Sequence, residues 1–260
     1  MDKITSSKNP KIQQVRALLN KREEREQTGS FVIEGVRLAE EALAAGWLPE
    51  LVLVSPSLSA RGLELTAEMK KQNVPVEQID QALLDRLSDT QTSPGILAVI
   101  PRRQLQILPV WDLLLVLDGL RDPGNLGTIL RSATAVGVHA CLLTPGTTDP
   151  FAPKVVRAAM GAHFRLPIMT VTWEEIRSLA KRRSARILIA DSTRGEVCWN
   201  ADLRVPLVLV IGGEAEGAHP EAYNAADGLI HIPMPGMSES LNAAIAASVL
   251  LFEILRQRSR

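Results

Sequence analysis

Aromatic residues are scarce in this chain: four Trp, four Phe and one Tyr among 260 positions. A sheet that grips nucleic acid by stacking bases on exposed rings needs more, so that kind of surface is not expected. Cysteine is scarcer still. Cys141 and Cys198 stand far apart with no CxxC or Cys/His spacing, which argues against a disulfide framework or a metal site. A reducing cytoplasm fits that usage. The opening MDKITSSKNPK has no apolar leader core, and no uninterrupted apolar stretch reaches spanning length. These absences lead to the expectation of a soluble, intracellular protein without metal. Net charge is missing too: 29 Lys and Arg balance 29 Asp and Glu, so nothing global advertises a polyanion partner.

Local charge is less even. Residues 1–30 hold seven Lys/Arg against four acids, and residues 151–186 hold eight against Glu174 and Glu175. Such patches can grip phosphates, although solvated helix faces have the same composition.

Apolar residues make up 46% of the chain, enough to fill cores for one large or two ordinary domains. Ile12, Val15, Leu18 and Leu19 fall at helical spacing and predict one helix over about 9–28. Strands and helices then alternate through SFVIEG, VRLAEEALAAG, LPELVLVSP and on to PGILAVIP, an α/β pattern of about a hundred residues. The stretch PRRQLQILPVW has two prolines and little periodicity, so a boundary is placed there, giving domains 1–104 and 105–260. The second half restarts the alternation with continuous apolar runs such as LLLVLD and PLVLVI, which suit parallel strands buried on both faces. The final helix, from SLNAAIAASVLLFEILRQ, is apolar around most of its circumference and should be buried in a core or against a partner.

Ligands of an open parallel sheet bind beyond the carboxyl ends of its strands. Three unusual loops follow strands there: DGLRDPGNLG, GGEAEGAHPE and PMPGMSESLN. None is a phosphate loop. The GK[ST] of a Walker A motif and a post-strand GxGxxG are both missing, and Glu214 and Glu216 would repel a pyrophosphate. Taken singly, Asn125 is open to two readings, a helix N-cap or a group with chemical work to do.

Together the loops resemble the SpoU (TrmH-like) family of RNA ribose 2′-O-methyltransferases, within the SPOUT superfamily. Asn125-Leu126-Gly127 with Arg131 is similar to the first family motif, Gly212-x-Glu214-x-x-Gly217 to the second, and Ile232-Pro233-Met234 with Ser240-Leu241-Asn242 to the third. DPFAPKVVRAAMGAHFRLPI is similar to the stretch between motifs one and two. The N-terminal half resembles the L30e-like α/β substrate-binding module often fused ahead of such a domain.

The resemblance implies a trefoil-knotted C-terminal α/β domain that binds S-adenosylmethionine, with Gly212, Gly217, Ile232, Met234 and Leu241 matching cofactor-holding positions. Arg131 matches the catalytic arginine. Since a guanidinium is not a base at neutral pH, a role in charge stabilisation and positioning is expected. Asn125 would orient Arg131 or the ribose, Glu214 and Asn242 would shape the pocket, and Ser240 would hydrogen-bond substrate or cofactor. Lys8, Lys11, Lys21, Arg22 and Arg25 are the candidate RNA contacts. Ribosomal RNA is the expected substrate, with transfer RNA or a non-catalytic ribosome-assembly role as alternatives, and a homodimer through the C-terminal domain is expected. Ala159, Ala215 and Ala244 depart from the commoner family residues. The four histidines read as structural or surface residues.

Overall fold

The computed structural model describes residues 3–88, 93–214, 216–236 and 239–259, and hydrophobic cores form among them on both sheets. Contacts divide the chain into one unit of residues 1–103 with 151–164 and a second of residues 104–150 with 165–260.

In the first unit the elements are α1 (Pro10–Asn20), α2 (Arg22–Thr28), β1 (Ser30–Glu34), α3 (Val36–Ala44), β2 (Leu51–Val54), α4 (Ala60–Lys71), β3 (Val76–Gln78), α5 (Gln81–Leu87) and β4 (Ile96–Pro101). The sheet order is β1-β4-β2-β3. The central β4 runs antiparallel to both β1 and β2, while β2 and β3 are parallel. Ile12, Val15 and Leu18 of α1 pack with Leu53, Ile79, Leu84 and Leu97. The single helix expected over 9–28 is two. Lys21 adopts an extended conformation (φ −121°, ψ 122°) that breaks the run, at a point where the apolar spacing has already ended with Leu19 and only polar residues follow through Thr28.

The second unit contains β5 (Leu113–Asp118), α6 (Pro123–Val136) and β6 (Ala140–Leu143). The chain then forms α7 (Pro153–Ala159) before returning to β7 (Ile168–Thr170) and α8 (Trp173–Arg183). β8 (Arg186–Asp191), β9 (Glu196–Val197), β10 (Leu207–Gly212), α9 (Pro220–Ala225), β11 (Gly228–His231) and α10 (Ala243–Arg258) complete it. Strand order is β7-β6-β5-β10-β8-β11-β9, and the pairings among the described strands are parallel. β5 and β10 are buried along almost their whole length, as their unbroken Leu/Val sequences require. Among the described strands, the two-residue β9 has no signal in the sequence, being too short to show a period.

Parallel strands put all their carboxyl ends on one edge. Asp118 of β5 pairs in register with Gly212 of β10, and Asp191 of β8 with His231 of β11. The three motif loops therefore leave the same edge of the sheet, the first two from the adjacent strands β5 and β10 and the third from β11, with β8 between.

Residues 151–164, expected in the C-terminal domain by continuity of sequence, pack within the first unit. Phe31 of β1 meets Phe151 at 5.1 Å and Phe164 at 6.5 Å between ring centroids, and Trp47 meets Phe164 edge-on at 5.4 Å. The Arg102 guanidinium lies 4.0 Å from the Phe151 ring centre, and Arg157 sits 3.7 Å from Glu34. Apolar ring burial, not chain order, decides where this segment belongs.

Candidate functional site

The α6 helix opens with Asp122 as its N-cap and Pro123 in the first turn. Asp122 Oδ1 accepts the Asn125 backbone N–H at 2.7 Å. Asn125 is thus not the cap, which corrects one of its two readings. With the capping done by Asp122, its side chain is available for other partners.

Those partners come from the other two loops. Asn242 is the N-cap of α10, and its Oδ1 accepts N–H groups from Ala244 (2.9 Å) and Ile245 (3.3 Å). Its amide nitrogen must then face outward, and it donates to Asn125 Oδ1 at 2.9 Å. That fixes the Asn125 amide in turn: its nitrogen donates to Glu214 Oε1 at 2.9 Å, the only role a carboxylate partner allows. Glu214 also accepts backbone N–H groups from Asp122 (3.2 Å) and Arg121 (3.3 Å). The two side-chain amides therefore donate in one direction, from motif three through motif one to motif two.

Partial desolvation pushes the Glu214 carboxyl up. The Asn125 amide and the N–H groups of Glu214, Arg121 and Asp122 outweigh it and hold the group below the ordinary glutamate range. Glu214 is an ionised anchor, poorly suited to take up a proton.

Beside this network lies a cavity of about 730 Å³. Its lining includes all five candidate cofactor residues, Gly212, Gly217, Ile232, Met234 and Leu241, together with Glu214, Ser240 and Asn242. The loop after β10 closes on itself through paired bonds between Gly213 and Gly217 (3.0 and 3.1 Å). A side chain at Gly212 would place its Cβ 2.3 Å from Ala218 N and Gly217 C, so only glycine permits this fold of the loop. Ala215, within the same loop, lies outside the described residues.

Asp191 and Tyr223 also line the cavity, and motif spacing gives no hint of either. Asp191 is pushed up by burial, but hydrogen bonds from Arg194, side chain and backbone, and from Thr193 N–H bring it below its ordinary value. Arg194 Nη2 reaches Asp191 Oδ2 at 2.7 Å and the Tyr223 hydroxyl at 3.2 Å. Arg131 is exposed on α6 and is not among the cavity-lining residues. The departure Ala244 is buried in the first turn of α10, and Ala159 ends α7 in the first unit.

The candidate RNA contacts divide. Lys8 and Lys21 are exposed, Lys11 is ion-paired with Glu77, and Arg22 with Glu26 at 2.7 Å. Arg25 is a correction. It is buried, 5% exposed, and donates to the carbonyls of Leu18 (2.6 Å) and Leu19 (3.5 Å) at the end of α1. Its charge holds the break between α1 and α2 and is not presented to a phosphate.

Residues 112–252 match the model of the SpoU rRNA Methylase family, and residues 9–98 match an MRM3-like substrate binding domain. A 23S rRNA (uridine(2479)-2′-O)-methyltransferase of Streptomyces viridochromogenes is 32% identical, over 97% of this chain and 92% of that protein. The 23S rRNA (guanosine(2553)-2′-O)-methyltransferase RlmP of Bacillus subtilis is 28% identical, over 98% and 99%. The crystal structure of the Streptomyces viridochromogenes SpoU methyltransferase AviRb in complex with AdoMet superposes with a TM-score of 0.86, at 31% identity, over 97% of this chain and 99% of that one. With the three motif loops joined at one sheet edge and the family model matching over more than half its length, this chain belongs to the SpoU rRNA methylase family.

Proposed function

We propose that this protein transfers a methyl group from S-adenosylmethionine to a ribose 2′-hydroxyl of ribosomal RNA. The observation that carries the reading is the Asn125 bridge, which ties Glu214 and Asn242 together at the wall of the glycine-lined cavity.

The cavity fits the cofactor. Its volume is in the range of small-molecule sites, Ile232, Met234, Leu241 and Leu250 give apolar walls for an adenine, and the Gly212–Gly213 backbone lies open to polar groups. When bound there, S-adenosylmethionine supplies an electrophilic methyl group. The residues around it do the rest: Gly212 and Gly217 hold the loop shape, Ser240 and Leu241 close one side, and Asn125 and Glu214 fix the wall where acceptor and donor meet. Orientation of this kind is worth several kcal/mol of barrier.

The Arg131 guanidinium stabilises charge on the acceptor oxygen and holds the adjoining phosphate. A homodimer through the C-terminal unit belongs to this reading. Arg131 does not line its own cavity, while α10, hydrogen-bonded to α6 through Ser132 and Ser248, leaves Ile245 and Phe252 about half exposed. Pairing of two copies on that face brings the arginine of one to the cavity of the other. The knotted threading of the C-terminal chain and a cytoplasmic location complete the reading. No helix among the described residues is long and apolar enough to cross a membrane. Of the five candidate RNA contacts, Lys8 and Lys21 are exposed, and this reading gives them the RNA phosphates.

Transfer of labelled methyl from S-adenosylmethionine to rRNA and tRNA, each from cells lacking this gene, tests the substrate. Label in rRNA supports it; label confined to tRNA overturns it.

A further inference from the structure

A second cavity, of about 410 Å³, shares the Gly213–Gly217 loop and Glu214 with the first. Its remaining lining is Gly119, Arg121, Asp122, Pro123 and His219. None of the three motifs includes His219, yet its backbone and its ring are both held by one carboxylate. Asp118, fully buried at the end of β5, accepts the His219 backbone N–H on Oδ2 at 2.6 Å and faces the ring Nδ1 with Oδ1 at 3.0 Å. Thr144 fixes that carboxylate with a 2.6 Å bond of its own. Facing a carboxylate, Nδ1 carries a hydrogen, so Nε2 is the ring's remaining polar atom. Gly119 makes room for the imidazole: a Cβ there would lie 2.6 Å from the ring Cε1. The histidine is thus built in, while its side chain stays 40% exposed.

The charges around it select the ligand. Asp122, Glu214 and Glu216 repel a phosphodiester. Arg121, 3.7 Å from Glu216, supplies donors beside those acceptors. Mixed donors and acceptors, a partly exposed ring and Pro123 suit the edge and face of a nucleobase, which RNA-modifying proteins draw out of its stack. We propose that this second cavity seats the base of the acceptor nucleotide, stacked on or hydrogen-bonded to His219, with its ribose directed to the Asn125–Glu214 wall. The inference rests on the methyltransfer reading above.

The test uses the full chain with the first cavity filled by S-adenosylhomocysteine. Uridine 5′-monophosphate and guanosine 5′-monophosphate are titrated in turn, with inorganic phosphate as the control, and the histidine ring and glycine amide resonances are followed. Shifts of the His219 ring and the Gly119 and Gly213 amides with a nucleotide, and not with phosphate, are expected. Equal shifts with phosphate, or none with either nucleotide, overturn the proposal. In parallel, His219→Gln should raise the KM for 23S rRNA about tenfold, a cost near 1.4 kcal/mol, with S-adenosylmethionine affinity unchanged. An unchanged RNA KM overturns the base site while leaving methyl transfer standing. Absence of methyl transfer by the unaltered protein to any RNA overturns the underlying reading and this one with it.

Discussion

The side-chain amide of Asn125 donates to Glu214 Oε1 at 2.9 Å, across 89 residues of chain. Its own carbonyl accepts from Asn242, 117 residues further on. One small residue thereby sets the spacing of three loops whose sequences give no reason, taken singly, to meet. Its position inside the first turn of α6 is what aims it, because Asp122 has already taken the capping task.

Removing that bridge should cost more in activity than in stability. Asn125→Ala deletes a hydrogen bond to an ionised carboxylate and one to an amide at a half-buried site, so a stability loss of about 1–2 kcal/mol is expected. Methyl transfer should fall about 100-fold, the usual scale for removing a positioning group beside reacting atoms. Chemical denaturation and single-turnover assays on the same variant measure both.

Gly212→Ala should damage the cofactor cavity with the fold otherwise intact. The added Cβ meets backbone atoms of Gly217 and Ala218 at 2.3 Å, and backbone cannot swing aside as a flexible side chain would. S-adenosylmethionine affinity should drop at least about tenfold by calorimetry. Unchanged affinity would mean the loop adopts another shape when the cofactor binds.

The basic residues of the N-terminal unit should separate into two classes. Lys8→Ala and Lys21→Ala should leave the melting temperature in place and reduce the salt dependence of RNA binding, by about 0.7–0.9 in log–log slope for each phosphate no longer neutralised. Arg25→Ala should instead destabilise the unit by about 2–3 kcal/mol, since the Leu18 and Leu19 carbonyls lose a charged donor. Its folded fraction should bind RNA with the unaltered salt slope.

Stability should depend on pH in opposite senses at two residues. The Asp118 hydrogen bond and charge raise the His219 imidazole above its ordinary value, with Glu221 and Glu216 assisting and partial burial opposing. A raised folded value stabilises the protein fully below the unfolded value of about 6.5, and the benefit is lost as pH rises through the folded value. Glu214 is depressed, so its contribution is present above the unfolded value of about 4.3 and is lost as pH falls through the folded one. Melting temperatures of His219→Gln and Glu214→Gln against the unaltered protein should therefore converge with it at the alkaline and the acid end respectively.

Much of this was legible in the residues. Runs such as LLLVLD and PLVLVIG are too apolar for a half-exposed strand, and they form the buried centre of the parallel sheet. The resemblance of the motif loops placed Gly212, Gly217, Ile232, Met234 and Leu241 around one ligand, and they line one cavity. What spacing could not supply was partnership. Arg25 looks like any other cation in a basic helix until its carbonyl acceptors are known. His219 lies beyond the third glycine of its loop, and the carboxylate that holds it is 101 residues away. Residues 151–164 sit between two strands of one unit in sequence and pack on Phe31 of the other because that is where their rings are buried.

The most direct test of the central claim is the chemical identity of the product. RNA from cells lacking this gene is incubated with the protein and methyl-labelled S-adenosylmethionine, then hydrolysed in alkali, beside an Arg131→Ala control. Label in rRNA recovered as alkali-resistant dinucleotide, and absent with the control, is the predicted result. Label released on bases in mononucleotides, or none in any RNA despite measurable cofactor binding, would contradict ribose 2′-O-methylation by this site.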